Sequence, residues 1–287
     1  MASHMLAIVV YVPPTILHGT GIILLYKSRG ELPNQRVITL NLATAEFLFC
    51  TSRVILHSVI LAGVSHTVTL TVLYCSVYIT FCATRFAILH IILDRFLDIW
   101  LNIKYPRYVN KANLIKIIIF LWFISTVIAV TFVFLETFKI VRRDKPQFGR
   151  LTGDIIIVFA AISTFIYLFK KVKSVLHRQD SQEKRPRRST GVWFKLRIPL
   201  LMVITFIVFN TTSTILWLYR DDSDEAKYYA YALVLDLFGW CSDAFIYVFL
   251  QRRVRRLLVS CCRRTRKNQN GGNRINQLSQ PTIISQV

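Results

Sequence analysis

Residues 75–96 read "CSVYITFCATRFAILHIILDRF", and this stretch decides what kind of chain this is. From Cys75 to Leu93 the only charged side chain is Arg85; then Asp94 and Arg95 arrive side by side. A hydrocarbon core of about 30 Å needs roughly 20 apolar residues in a helix, so the stretch reads as a membrane span with Asp94-Arg95 at its watery end. Such a pair can be a snorkelling anchor. It can also be a moving part, and the stretch alone leaves both readings open.

The rest of the composition agrees with a membrane setting. Of 287 residues, 54% are hydrophobic, and the mean hydropathy of +0.46 is too apolar for a soluble domain of this size. The formal charge of +21 does not point to nucleic acid, because the basic residues lie between apolar runs rather than on an amphipathic surface. Cys50, Cys75, Cys82, Cys241, Cys261 and Cys262 show no metal-ligand spacing, and the first four fall inside apolar runs. There is no Cys-x-x-Cys and no glycine-rich phosphate loop, and the six histidines are scattered. Neither an enzyme nor a cofactor or metal is expected. The first apolar run has no basic segment before it and no small-residue cleavage site after it, so it is expected to remain as a span.

Seven runs are long enough to cross a bilayer, at about 5–26, 36–62, 67–93, 112–137, 151–170, 196–219 and 227–250. Short connections favour one all-α bundle with neighbouring helices antiparallel. Pro13-Pro14 lies inside the first run, where neighbouring helices can satisfy the freed carbonyls. With the amino terminus outside, 27 of the 36 Lys and Arg fall on the cytoplasmic side and seven outside, leaving Arg53 and Arg85 within spans. That asymmetry predicts an outer amino terminus and a cytoplasmic carboxyl terminus.

Local stretches carry a resemblance. "NLATAEFLF" (41–49) is similar to the Asn-Leu-Ala-x-Ala-Asp-Leu pattern of rhodopsin-class G-protein-coupled receptors, with Glu46 for the aspartate. Asp94-Arg95-Phe96 resembles that family's Asp-Arg-Tyr and is followed by "NIKYPRYV" (102–109), which resembles its second intracellular loop. Trp122 stands suitably in the fourth span. "DAFIY" (243–247) takes the place of Asn-Pro-x-x-Tyr, and "VFLQRRVRRLL" (248–258) resembles the short amphipathic eighth helix. The order and polarity hold over about 250 residues. The resemblance implies a seven-transmembrane receptor domain over 1–262, with helix eight at 251–262 and a disordered cytoplasmic tail at 263–287. It also implies a plasma-membrane protein in which an unknown extracellular ligand activates a heterotrimeric G protein, with Asp94, Arg95, Phe96 and Tyr247 as the switch. Departures are equally plain: Asn210-Thr211-Thr212 stands where the sixth span should carry Cys-Trp-x-Pro, the fifth span has no proline, and no cysteine lies between Cys82 and Cys241 to form the outer disulfide.

Ionisable groups inside a membrane are rare and cost roughly 2.5–3.5 kcal/mol each on insertion scales, so they pair or face a wet cavity. Glu46 and Arg53 are seven residues apart on one face of the second span, and Asp236 and Asp243 repeat that spacing on the seventh. Arg85 lies ten residues before Arg95, about 15 Å away along the helix. A buried polar cluster of Glu46, Arg85 and Asp243 is therefore expected, with Thr80 and Thr84 as hydrogen-bond partners and Arg53 and Asp236 above it. The resemblance implies a sodium site at Glu46, Thr84 and Asp243, and Arg85 is read as a built-in cation in its place. The plainer reading is a static pair that fixes packing. Glu136 and Asp154 are read as solvated near outer helix ends, with ligand anchors as the second reading. Val77 takes the place of an amine-binding acid, and no lysine lies from Tyr228 to Leu250, with Leu237 at the place of a Schiff-base lysine.

On the cytoplasmic side, "HRQDSQEKRPRRST" (177–190) is a basic polar loop suited to a G protein and to anionic membrane lipids alike. Val254, Leu257, Leu258 and Val259 form an apolar stripe among arginines, fitting an interfacial helix. Cys261-Cys262 beside it reads as a palmitoylation site. The carboxyl-terminal Ser285-Gln286-Val287 resembles a PDZ-domain ligand. Two other readings remain: a seven-helix transporter or lipid-moving protein, for which no inverted repeat is seen, and a receptor-like partner that does not signal.

Overall fold

A computed structural model describes residues 1–27, 33–101, 105–137, 153–167, 169–170, 200–218, 225–246 and 254. No strand occurs among them. The helices are α1 (Ala2–Lys27), α2 (Pro33–Leu61), α3 (Thr67–Leu101), α4 (Lys111–Thr137), α5 (Gly153–Tyr167), α6 (Leu200–Leu216) and α7 (Glu225–Ala244). A one-turn helix, Tyr105–Tyr108, lies between α3 and α4.

Among the described residues, four segments are long and apolar enough to cross a membrane: Ala2–Lys27, Asn34–Leu61, Thr67–Asp98 and Lys111–Leu135. α5 and α6 are apolar but shorter. The described residues are thus all-helical in architecture and compatible with a multi-pass membrane protein. Helix eight at 251–262, Tyr247, Cys261, Cys262 and the tail with Ser285 and Val287 lie outside the described residues, except for Val254, which is buried.

The distribution of side chains is inside-out relative to a water-soluble bundle. Glu46, Arg85, Asp94, Asp154, Asn210, Asp236 and Asp243 are buried, whereas Ile119, Phe120, Phe123, Val130 and Phe134 of α4 are exposed. Such a surface suits lipid, and the buried charges suit a bundle interior.

Local signals set the helix ends. At the end of α2, Gly63 adopts φ +76°, its N–H bonds Ile60 O at 3.0 Å and the Val64 N–H bonds Val59 O at 3.3 Å. This is a Schellman termination, which wants a residue free to enter the left-handed region. Asn110 caps α4, its Oδ1 accepting from the Asn113 N–H at 2.8 Å. α1 runs unbroken through Pro13 and Pro14, as expected of a proline pair supported by neighbours. α2 packs between α1 and α3, α4 packs on α3, and α7 packs on α1 and α6. One apolar cluster at the Asp94 end joins Leu25, Leu42, Ile88, Leu114, Val203 and Ile246. A second, toward Gly63, joins Tyr11, Phe49, Leu56, Leu233 and Trp240.

Candidate functional site: three buried polar groups

α3 continues past the expected end of its span at 93 to Leu101, which puts Asp94 and Arg95 on one helical turn and Asp98 on the next. Asp94 is 2% exposed and accepts hydrogen bonds from the Arg95 guanidinium and from the Tyr105 hydroxyl. Arg95 Nη1 also lies 3.8 Å from Asp98 Oδ2. Burial, and then the bond to Asp94, push the Tyr105 phenol well above its usual pKa, so it stays protonated and donates. The segment carrying Tyr105 is held by Asn34, whose Nδ2 donates to Val109 O at 2.6 Å. Phe96 turns to α5, its ring 5.1 Å from that of Tyr167. The expected Asp94–Arg95 contact is present. Tyr105 was not singled out from "NIKYPRYV"; an aromatic hydroxyl eleven residues after a buried acid was the available signal.

Midway along α3, Arg85 is 6% exposed. Its Nε lies 3.0 Å from Asp154 Oδ1, and its guanidinium is cupped by the rings of Phe81 at 4.6 Å, Phe206 at 4.7 Å and Trp240 at 5.8 Å. Asp154 Oδ2 accepts from Thr214 Oγ1 at 2.8 Å. One cation therefore joins α3, α5, α6 and α7. The reading of Asp154 as solvated is corrected: it is fully buried, because it faces Arg85 of α3 and Thr214 of α6. The side chain of Glu136 is not among those described.

Glu46, expected beside Arg85, pairs with His18 of α1, Nδ1 to Oε2 at 3.3 Å, both side chains fully buried. Gly19 explains the pairing. A Cβ there would sit 3.2 Å from the Phe47 ring, so α1 and α2 touch at this level and carry His18 onto Glu46. His18 also reaches the Trp240 backbone. Asp243 accepts from Thr205 Oγ1 at 3.3 Å and lies within the field of Arg85. Of the cluster expected from Glu46, Arg85 and Asp243, Asp243 lies in the field of Arg85, and His18 and Asp154 join it as ion-pair partners that sequence spacing does not reveal. Thr84 and Thr80, expected to serve it, donate to their own helix, at Thr80 O (2.9 Å) and Ser76 O (2.7 Å). The short Thr side chain finds the preceding turn before it finds another helix.

Farther toward Gly63, Asp236 accepts from the Tyr11 hydroxyl at 3.2 Å, and Arg53 lies over the Tyr11 and Phe49 rings at 5.4 and 5.8 Å. Trp122 Nε1 donates to Asn41 at 2.9 Å, joining α4 to the start of "NLATAEFLF". Among the described residues no three potential metal ligands converge. No family model matches this chain, and no curated protein matches it.

Proposed function

We propose that this chain is a divergent rhodopsin-class receptor of the plasma membrane. In this reading seven helices span the bilayer with the amino terminus outside, an eighth lies along the cytoplasmic surface, and an extracellular ligand biases the bundle toward capture of a heterotrimeric G protein. The observation that carries the reading is the end of α3, where Asp94 is held by Arg95 and Tyr105 in a buried polar knot. A mere anchor needs no partner from the following loop, whereas a switch needs a resting partner for its arginine. The ordered motifs, the Lys and Arg asymmetry, and the Trp122–Asn41 bond support the same reading.

Arg85 takes the part of a resident cation at the depth of Asp243, anchored on Asp154. Its charge is fixed, because a guanidinium cannot be discharged in a protein. Cys261 and Cys262 are proposed to carry palmitate, membrane lipids to meet the basic loops, and Ser285–Val287 to meet a PDZ-domain protein. The deciding experiment measures basal activation across a panel of Gα subunits in cells expressing the native chain or Arg95→Ala at equal surface density. Loss of signal in the variant supports a receptor; equal signal for every subunit favours a partner protein or transporter.

A further inference from the structure

We propose that His4 and His57 form a binding site for a borderline divalent metal ion, zinc being the type, which bridges α1 and α2 at the Gly63 end of the bundle. The two side chains belong neither to the Asp94 knot nor to the Arg85 and Glu46 pairs, and a separation of 53 residues hides their contact in the sequence.

His4 Nδ1 lies 3.0 Å from His57 Nδ1, with ring centroids 5.3 Å apart and planes inclined by 42°. The rings therefore meet end-on, nitrogen to nitrogen. A neutral imidazole has one N–H and one lone pair, so a single proton lies between the two nitrogens, donated by one ring and accepted by the other. Zinc holds an imidazole nitrogen at about 2.0–2.1 Å, which places two nitrogens of a tetrahedral ion about 3.3 Å apart. The pair need open by only a few tenths of an ångström. The rings must also tilt toward a common point, and the second side-chain torsion of histidine is broad enough for that. When the ion enters, the Nδ1–H bond of the donor ring breaks and water carries its proton to Nε2 of the same ring. Both Nδ1 lone pairs then face the metal. Protons balance, and nothing is oxidised.

The setting favours capture. His57 is 8% exposed and fixed near the end of α2, whereas His4 is half-buried in the first turn of α1 and within reach of water. Ser3 O accepts from the Tyr229 hydroxyl at 3.4 Å, so the first turn of α1 is held on α7 while His4 turns to α2. Ligands already held in place lose little freedom on binding.

The donor set selects the ion. Two imidazole nitrogens suit zinc, copper or nickel, whereas calcium and magnesium want oxygen. Among the described residues neither ring is paired with a carboxylate. Arg53, one turn before His57, adds a positive charge, but its guanidinium lies over the Tyr11 and Phe49 rings and within the field of Asp236. With two protein ligands and water completing the shell, the ion is loosely held and exchangeable. It replaces a hydrogen bond between α1 and α2 with a cross-link. On the proposed orientation the site faces outward; the contact itself does not depend on the receptor reading.

The test uses the full chain, purified in detergent and stripped of metal with a chelator, and follows thermal unfolding as Zn2+ is titrated. At a hundredfold excess over the titration midpoint, a rise in melting temperature of about 5 °C is expected. Mg2+ and Ca2+ at the same concentrations are expected to give none. His4→Ala and His57→Ala should each abolish the rise, and His66→Ala, which removes an exposed histidine from the same end, should keep it. His4→Gln repeats the loss at a half-buried position in a terminal turn, where folding is least at risk. No rise in the native chain, a rise that persists in folded His4→Ala and His4→Gln, or one lost equally in His66→Ala overturns the proposal. A zinc effect in a chain that activates no G protein keeps the site and discards the receptor reading alone.

Discussion

His18–Glu46 and Arg85–Asp154 both lie deep in the bundle, at 3.3 and 3.0 Å, and differ in what their partners can become. A histidine and a glutamate can pass one proton between them and be two neutral groups. An arginine stays charged, so Arg85 always needs an anion or a π face. The histidine pair joins neighbours that a short connection already holds together, α1 and α2. The arginine pair joins α3 to α5 and, through Thr214 and Phe206, to α6. The fixed charge sits where distant helices must be coordinated, and the dischargeable pair where local chain connectivity already does that job.

That contrast is most directly broken at Arg85. Arg85→Leu leaves Asp154 buried without its cation and is expected to cost about 3–5 kcal/mol, read as lost surface expression and a lower melting temperature in detergent. The double variant Arg85→Leu with Asp154→Leu is expected to recover most of that loss. Unchanged expression and signalling in the single variant would remove Arg85 from any role in the bundle. His18→Leu should be milder, about 2 kcal/mol, because Glu46 can take up a proton once its partner is gone. A loss as large as that of Arg85→Leu would show that the two pairs are of one kind.

The Asp94 end extends the comparison to a pair whose partner comes from a loop. Tyr105→Phe removes one of two donors to Asp94 and is expected to weaken the resting state by about 1.5 kcal/mol. On the proposed receptor function, basal G-protein activation should rise about tenfold for that change, and Asp94→Asn should exceed it. Smallest is Trp122→Phe, which gives up the bond to Asn41 for about 1 kcal/mol, measured as a fall in thermal stability with signalling amplitude preserved. An effect larger than that of Tyr105→Phe would mean that the α2–α4 seam, and not the end of α3, governs the resting state.

Much of this was legible in the residues. The apolar runs announce the helices because an unpaired backbone cannot lie in hydrocarbon. Pro13-Pro14 stays inside α1 as its run length required. The Asp94-Arg95 pair was legible as a motif, but successive helix residues point to different faces, so their contact was settled only in the structure. The partner of Arg85 was not legible, because spacing along a helix gives depth and face but not which of several carboxylates at that depth turns inward. Asp154 looked like a solvated helix-end residue, and its burial depends on which faces of α3 and α6 meet it. His18 looked like one scattered histidine. Only the close approach at Gly19 makes it a partner of Glu46.

The sequence by itself thus determined an all-helical, membrane-compatible chain with charges placed at chosen depths, because helix periodicity and the dislike of hydrocarbon for charge are local properties. The tertiary structure alone decided the pairing of those charges, the burial of Asp154 and the seat of Asn210 on Gly239. Pairing depends on which helix faces meet, and that is settled by packing between residues far apart in the chain.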